Sequence, residues 1–120
     1  MTDVLIAGGG IAGSTLAMGL ARHGFSVEVF ERARFPREKP CGEGLMPAGV
    51  AALERLGVPM ARDGAEFVGV RYRCGERMAE GRFPRVAGMP EAGRGIRRRD
   101  LDVALAERAA ATPGVTLHTG

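Results

Sequence analysis

The sequence predicts an α/β fold with a parallel β-sheet and an inserted antiparallel β-hairpin. An apolar run at 4–7 leads through a glycine-rich turn into a helical pattern at 11–23, and a second strand is predicted at 26–31. A later helix, predicted at 101–111, is again followed by a strand at 115–119. Strands of one sheet that are joined through a helix run parallel, with a right-handed crossover. These helix–strand pairs therefore indicate one parallel sheet.

The first unit is predicted from local signals. Val4-Leu5-Ile6-Ala7 is a continuous apolar run, which is typical of a parallel strand buried on both faces. The helix at 11–23 has apolar residues at helical spacing, and its basic last turn is followed by Gly24, a common residue after a helix. The segment Ser-Val-Glu-Val-Phe-Glu at 26–31 indicates the second strand. Together these elements form a βαβ unit.

The middle of the chain is predicted to be less regular. Residues 32–47 contain three prolines and no clear period, which indicates an extended loop. A short helix follows at 48–56 and ends at a glycine. Strands at 67–73 and 77–83 flank the turn Cys-Gly-Glu, which favours an antiparallel hairpin. Residues 85–94 are rich in proline and glycine and are predicted to form another loop.

The domain organisation follows from these elements. We expect one partial domain over 1–120, in which the βαβ unit occupies 1–31 and a hairpin and loop insertion occupies 60–96. The segment 97–120 then returns to the parallel sheet as a helix and a strand. Asp100 and Asp102 are predicted to lie in the first turn of that helix, where the helix dipole favours acids.

Composition narrows the class of protein without naming a ligand. The chain has 120 residues, 45% of them apolar, which suits a single domain with a hydrophobic core. The 17 basic and 14 acidic residues give a formal net charge of +3, which fits an anionic ligand as well as nucleic acid. Cys41 and Cys74 lack metal-ligand spacing and are predicted to be reduced thiols. No signal peptide or membrane span is visible, so we expect a soluble, cytoplasmic protein.

The glycine-rich turn is the motif that points to a ligand. Gly8-x-Gly10-x-x-Gly13 lies between a predicted strand and a predicted helix, as in dinucleotide-binding units. There the first glycine makes the turn, the second lets the backbone approach a pyrophosphate, and the third lets the helix pack against the strand. The N–H groups at the helix start, including those of Ile11 and Ala12, would face the phosphates. The spacing predicts a Rossmann-like, dinucleotide-binding fold.

An acid at the end of the second strand supports this interpretation. Glu31 lies 18 residues after Gly13, close to the distance expected for the residue that binds an adenosine ribose. Its carboxylate would accept both ribose hydroxyls and would repel a 2′-phosphate, which disfavours NADP at this site. The alternative is a glycine-rich turn without a ligand.

The remaining conspicuous residues have structural interpretations. Met46 and Met60 are predicted to pack, and His23 to lie at a helix end, near the negative end of the dipole. His118 lies on the last predicted strand, and the sequence indicates no nucleophile or metal partner for it.

Three segments carry a resemblance to a known family. They are "DVLIAGGGIAGSTLAMGLARHGFSVEVFER", "KPCGEGLMP" at 39–47, and "GIRRRDLDVALAERAAATPGVTLHTG". The chain resembles the N-terminal portion of FAD-dependent oxidoreductases of the p-hydroxybenzoate hydroxylase type and of the related geranylgeranyl reductases. Flavin-dependent halogenases have a serine where this chain has Gly44, which counts against that branch.

The resemblance implies FAD as the cofactor and assigns residues to its parts. Gly8, Gly10 and Gly13, with Ile11 and Ala12 between them, would line the pyrophosphate. Glu31 would hold the adenosine ribose, and Arg32 would lie beside the adenine.

Two later segments are implied to reach the same cofactor. The loop from Cys41 to Leu45, with Gly42 and Glu43, would pass near the middle of FAD or the flavin ring. Cys41 itself is expected to have a packing or loop role rather than a redox role. The resemblance also implies that Arg98 approaches the cofactor. The alternative for Arg98 is a solvated basic cluster with the two arginines beside it.

The function implied is the N-terminal FAD-binding part of a flavin-dependent oxidoreductase. It would be a monooxygenase (hydroxylase) or a double-bond reductase that acts on a small organic molecule, with NADH or NADPH as a possible external reductant. Enzymes of this family are several times longer, so we expect a fragment that is inactive alone and is completed by a downstream chain. The sequence assigns no catalytic residue.

Three alternatives stay open at this point. One is an NAD-binding dehydrogenase domain, which would use the same glycine motif. Another is a nucleic-acid-binding module that uses the basic segments 34–39 and 94–99, although these have almost no interleaved aromatic residues for base stacking. The third is a non-catalytic fragment.

Overall fold

The computed structural model describes residues 1–59 and 63–120. Met60, which is predicted to pack and at which the predicted insertion begins, lies outside the described residues. The helices are α1 (Ile11–Arg22), α2 (Pro47–Leu56) and α3 (Arg98–Ala110). The strands are β1 (Val4–Ala7), β2 (Val27–Glu31), β3 (Gly44–Leu45), β4 (Ala65–Phe67), β5 (Gly69–Cys74), β6 (Arg77–Arg82), β7 (Gly93–Gly95) and β8 (Val115–Thr119).

The predicted parallel sheet is confirmed. Its strand order is β1-β2-β8, with Val4 opposite Val27 and Val27 opposite Val115. Successive side chains of a strand alternate between the two faces of the sheet. Ile6 and Val29 lie on the face toward the helices and are buried. The other face carries Leu5 and Phe30, which are 69% and 46% exposed. The expectation that β1 is buried on both faces is therefore wrong.

Two hydrophobic clusters hold α1 in place. Ala17 packs with Ile6 and the buried valines of β2, whereas Met18 packs with Leu53 of α2 and Leu105 of α3. Neighbouring residues of one helix thus contribute to different clusters. The sheet-side packing sets the N-terminus of α1 directly beyond the end of β1.

The predicted hairpin is confirmed with one change at its start. β5 and β6 pair antiparallel, from Gly69 opposite Arg82 to Cys74 opposite Arg77. The predicted strand at 67–73 is split at Val68, because Phe67 belongs to β4 and pairs with Gly93 of β7.

A small antiparallel sheet of order β3-β7-β4 was not expected from the sequence. It lies partly in the two predicted loops, 32–47 and 85–94, where proline and glycine hide the strand pattern. The sheet requires glycine at position 93. A Cβ there would come within 2.4 Å of Phe67 Cζ and 2.6 Å of the Leu45 carbonyl oxygen, so the neighbouring strands leave no room for a side chain.

The residues given structural roles lie as follows. His23 is at the C-terminal end of α1, as predicted. Met46 precedes α2 and is half exposed rather than packed. His118 stacks on Phe30, with ring centroids 4.6 Å apart, and its Nε2 lies 2.9 Å from Glu28 Oε2.

Candidate functional site

The glycine turn lies where β1 meets α1. Gly8 has φ +101°, a left-handed conformation that favours glycine. A Cβ on Gly13 would lie 1.8 Å from the Gly8 carbonyl oxygen, so only glycine lets the helix approach the strand this closely. Gly10 is the N-cap of α1, makes no side-chain cap hydrogen bond, and no acid follows in the first turn. The helix start therefore presents N–H groups and a positive dipole end to the adjacent space.

Glu31 lines this space from the end of β2, next to the glycine turn. The N–H of Gly9 donates to its Oε2 at 2.8 Å, and the N–H of Ala33 donates to its Oε1 at 2.9 Å. Burial by itself raises the pKa of Glu31. The hydrogen bonds from these two backbone donors and the charges of Arg37 and Arg32 lower the pKa by more than burial raises it, so the net pKa lies below the ordinary value. The carboxylate is thus held ionised and in a fixed orientation.

Arg37 joins the site although no sequence signal identified it. Its Nη2 lies 3.5 Å from Glu31 Oε2, and its Nη1 lies 3.1 Å from Asp102 Oδ2. The side chain is only 15% exposed. No spacing rule links a loop arginine to the helix at 98–110, so only the folded chain reveals the contact.

The interpretation of Asp102 as an acid of the first helical turn is wrong. α3 begins at Arg98, three residues earlier than predicted, so Asp102 falls in the second turn and faces inward. Its side chain is 0% exposed, and its Oδ1 lies 2.9 Å from Arg98 Nε. This hydrogen bond is the main reason why the pKa of Arg98 is raised, although burial acts against it.

The three consecutive arginines do not form one solvated cluster. Arg98 is 14% exposed and points into the fold, whereas Arg97 and Arg99 are exposed on either side of it. The helical turn separates their directions, because successive residues of a helix point about 100° apart.

These elements enclose a cleft of about 400 Å³ around the glycine turn. It gathers seven of the predicted site residues together with Arg37 and Lys39; the seven are Gly8, Gly10, Ile11, Ala12, Gly13, Glu31 and Arg98. An adjoining space of about 600 Å³ shares Gly8, Glu31 and Arg37 with it and adds Arg32. A Cβ on Gly10 would lie 3.3 Å from Arg37 Nη2 and 3.6 Å from Arg98 Nη2, so both guanidinium groups converge on the start of α1.

Gly42 and Glu43 do not line this cleft. Glu43 instead contacts the start of α3, where its Oε1 accepts a hydrogen bond from the Arg98 N–H at 3.3 Å. Its carbonyl oxygen accepts another from the Ile96 N–H at 2.8 Å. Cys41 Sγ accepts a hydrogen bond from the Glu43 N–H at 3.4 Å.

The donor set of the cleft fits a nucleoside diphosphate. A helix N-terminus and two guanidinium groups are donors and positive charges, which suit phosphate oxygens. Glu31 is an acceptor beside them, 3.5 Å from Arg37 Nη2, and its carboxylate suits ribose hydroxyls. The missing Cβ of Gly10 lets Arg37 Nη2 and Arg98 Nη2 lie close to the start of α1.

The pattern of the family described as "FAD binding domain" matches residues 1–120. The chain belongs to the FAD binding domain family. This match confirms FAD as the cofactor and decides against the NAD-binding dehydrogenase alternative. The Rossmann-like fold with an antiparallel insertion is likewise confirmed, because the similar structures are FAD-binding domains of this fold.

The relatives include reductases, monooxygenases and halogenases. The chain is 52% identical to menaquinone reductase of Mycobacterium tuberculosis over 56 residues, which are 47% of this chain and 14% of that protein. It is 36% identical to 6-methylpretetramide 4-monooxygenase of Streptomyces rimosus over 126 aligned residues, 99% of this chain and 29% of that protein. This FAD binding domain thus spans less than a third of either relative.

Two solved structures show the same fold. The myxobacterial chondrochloren halogenase superposes with a TM-score of 0.83 at 30% identity, over 98% of this chain and 28% of that one. A geranylgeranyl bacteriochlorophyll reductase-like protein of Thermoplasma acidophilum superposes with a TM-score of 0.70 at 28% identity, over 98% and 29%. The resemblance to flavin-dependent oxidoreductases, including the reductase branch, is therefore confirmed. Gly44 as a mark against the halogenase branch stays a prediction.

Two observations limit other kinds of site. Within 1–59 and 63–120, no helix has the length and apolar character needed to cross a membrane. The same residues contain no group of three side chains placed to hold a metal ion, and Cys41 and Cys74 are free and exposed.

Proposed function

We propose that this chain binds the ADP half of FAD within a flavin-dependent oxidoreductase that acts on a small organic molecule. The observation that carries the proposal is the convergence of Arg37 and Arg98 on Gly10, beside the fixed carboxylate of Glu31. Positive groups next to a fixed acceptor match the diphosphate and ribose of a dinucleotide.

Each group of site residues then has a role. Gly8 allows the turn, Gly10 keeps a side chain away from the diphosphate, and Gly13 lets α1 pack against β1. The N–H groups at Ile11 and Ala12 bind the diphosphate. Glu31 accepts hydrogen bonds from the ribose hydroxyls.

The arginines and the loop before α2 extend the site. Arg37 and Arg98 neutralise the diphosphate, and Arg32 lies toward the adenine. Gly42 and Glu43 act toward the middle of FAD or the flavin ring, with Glu43 holding the start of α3 in place.

FAD supplies the redox chemistry when it is bound, and the protein binds and orients it. The names of the relatives, a reductase and a monooxygenase, support either a monooxygenase or a double-bond reductase. NADH or NADPH would be the external reductant. Substrate recognition and catalytic groups then belong to a further part of the polypeptide or to a second one.

The direct test is titration of the chain with FAD, followed by flavin fluorescence, with NAD as the competing dinucleotide. We expect saturable binding of FAD that is tighter than binding of NAD. Gly10→Val should weaken it at least about tenfold, because φ −75° accommodates valine while its side chain fills the space beside both guanidinium groups. Glu31→Ala should weaken it by about tenfold or more through loss of charge-assisted hydrogen bonds.

Matched controls separate binding from folding. Gly19→Ala changes a glycine of the same helix where a Cβ meets nothing within 4 Å, and Glu76→Ala removes an exposed carboxylate from the hairpin turn. Both should bind FAD like the parent chain. Tighter binding of NAD than of FAD, or equal FAD affinity for Gly10→Val and Gly19→Ala, would contradict the proposal.

A longer protein that contains this chain distinguishes the two reactions. Oxygen consumption driven by NADH or NADPH, with a hydroxylated product, indicates a monooxygenase. Reduction of a substrate double bond without oxygen indicates a reductase.

A further inference from the structure

Asp102 is a buried carboxylate that contacts two guanidinium groups. Its Oδ1 lies 2.9 Å from Arg98 Nε and its Oδ2 lies 3.1 Å from Arg37 Nη1, with no part of the side chain exposed. The two arginines come from different elements, one from the loop after β2 and one from α3. Asp102 is therefore the group that joins them.

The pairing is incomplete as a hydrogen-bond network. Among the described residues, Asp102 Oδ2 and Arg37 Nε are buried and make no hydrogen bond of good geometry. A buried ion pair is weak support for stability, because a well-packed apolar side chain often does as well. Leu101 and Leu105 on the same helix show that this region accepts apolar residues. Stability alone gives a poor reason for a carboxylate here.

The placement of the two arginines gives a better reason. Their Nη2 atoms lie 3.3 and 3.6 Å from where a Gly10 Cβ would be, so two like charges meet at the positive end of α1. Such an arrangement repels itself unless an anion lies close to both groups. Asp102 supplies that anion from the buried side, while both arginines line the cleft.

We propose that Asp102 is a positioning residue that holds Arg37 and Arg98 in place for the diphosphate of FAD before the cofactor binds. The proposal rests on the proposed function, since it concerns the same cleft. Binding is stronger when charged groups are ordered in advance, because less ordering remains to be done on association. Arg37 also lies 3.5 Å from Glu31, so the same network connects the diphosphate and ribose sides of the cleft.

The sign of one substitution tests this inference. Asp102→Asn removes a negative charge beside an anion site, so charge alone predicts tighter binding of ADP and FAD. Positioning predicts the opposite, a loss of about tenfold or more, because the guanidinium groups lose their charge-assisted contacts. Asp100→Asn is the matched control, because it makes the same charge change at an exposed position of α3. It should leave both affinities within about twofold of the parent.

Affinities are measured for FAD by fluorescence and for ADP by calorimetry, at a temperature where circular dichroism shows each variant fully folded. If Asp102 has only a structural role, Asp102→Asn lowers the melting temperature but does not change the affinity of the folded protein for FAD or ADP. If Asp102 positions the arginines, ADP binding by Asp102→Asn should also depend less on salt than ADP binding by the parent, because fewer guanidinium groups reach the phosphates in the variant. Equal or tighter ADP binding by folded Asp102→Asn would overturn the inference.

A second variant covers a failure to fold. Asp102→Leu fills the buried volume with an apolar side chain and should fold where asparagine does not. It is expected to show the same loss of FAD and ADP affinity. If neither variant folds, Asp102 serves folding itself and the inference is overturned. If the parent chain binds neither FAD nor ADP, the proposed function fails, and the inference that rests on it fails too.

Discussion

Gly13→Ala tests whether close packing of α1 on β1 creates the site. The added Cβ would lie 1.8 Å from the Gly8 carbonyl oxygen and 3.3 Å from Ile6 Cγ2. Ordinary contact begins near 3.4 Å, so the helix must withdraw by the difference of about 1.6 Å, and the atom it meets is backbone that cannot rotate away. Overpacking of this kind costs up to about 3 kcal/mol. Alanine returns up to about 1 kcal/mol of helix stability, which leaves a net loss of about 2 kcal/mol.

Urea unfolding followed by circular dichroism measures this loss, with FAD titration of the same samples. Gly19→Ala is the matched control, because its Cβ meets nothing within 4 Å and it should stabilise the chain by about 0.5–1 kcal/mol. The two substitutions in one helix should thus have opposite signs. FAD binding should weaken only in Gly13→Ala, since the helix start moves away from Glu31. A Gly13→Ala protein as stable as Gly19→Ala, with unchanged FAD affinity, would refute the reasoning.

Three further outcomes are expected. The pKa of folded Glu31 lies below its ordinary 4.5, so its stabilising contribution is present above that pH and is lost as pH falls through the folded pKa. In urea unfolding across acidic pH, the free energy of unfolding should fall more steeply for the parent than for Glu31→Gln. Parallel curves for the two proteins would contradict this. Leu105→Ala, at 0% exposure, should lower the free energy of unfolding by about 2–5 kcal/mol, against less than about 0.5 for exposed Glu107→Ala. Gly93→Ala should cost about 1–3 kcal/mol, and adding Phe67→Ala should not restore stability, because the Leu45 carbonyl oxygen still lies 2.6 Å from the new Cβ.

The βαβ unit could be predicted because its signals are local. The apolar run, the three glycines and the helix pattern are contiguous, and each responds to backbone geometry within a few residues. β1 and α1 accordingly begin as predicted, at Val4 and Ile11, and β2 starts one residue later than expected. Glu31 follows from the same unit, since the length of one helix and one strand sets its distance from the glycine turn.

The small antiparallel sheet could not be predicted for the opposite reason. β3 has two residues and β7 has three, and both contain glycine, which is a poor strand former in isolation. Their pairing depends on partners that are far apart in sequence, such as Phe67 opposite Gly93. A continuous strand pattern across Val68 therefore concealed a break between two sheets.

Asp102 shows how an error of three residues in a helix boundary changes a functional interpretation. With a helix that starts at Leu101, an acid at 102 is a solvent-facing partner of the dipole. With the observed start at Arg98, the same residue lies one turn beyond Arg98 and points inward. Glu43 allows the earlier start, because it accepts a hydrogen bond from the Arg98 N–H across 55 positions of sequence.

The ligand preference proposed for the cleft depends on the arrangement of charges rather than on their sum. Glu31, Arg37, Arg98 and Asp102 together have no formal net charge, and the whole chain carries only +3. Yet Asp102 lies wholly buried behind the arginines, while their guanidinium ends reach the N-terminus of α1. An anion is thus attracted toward the arginines at the start of α1, whereas the Glu31 carboxylate, 3.5 Å from Arg37, repels it. The proposed ligand, a diphosphate joined to a ribose with free hydroxyls, suits both the arginines and Glu31, whereas an added 2′-phosphate would be repelled by Glu31.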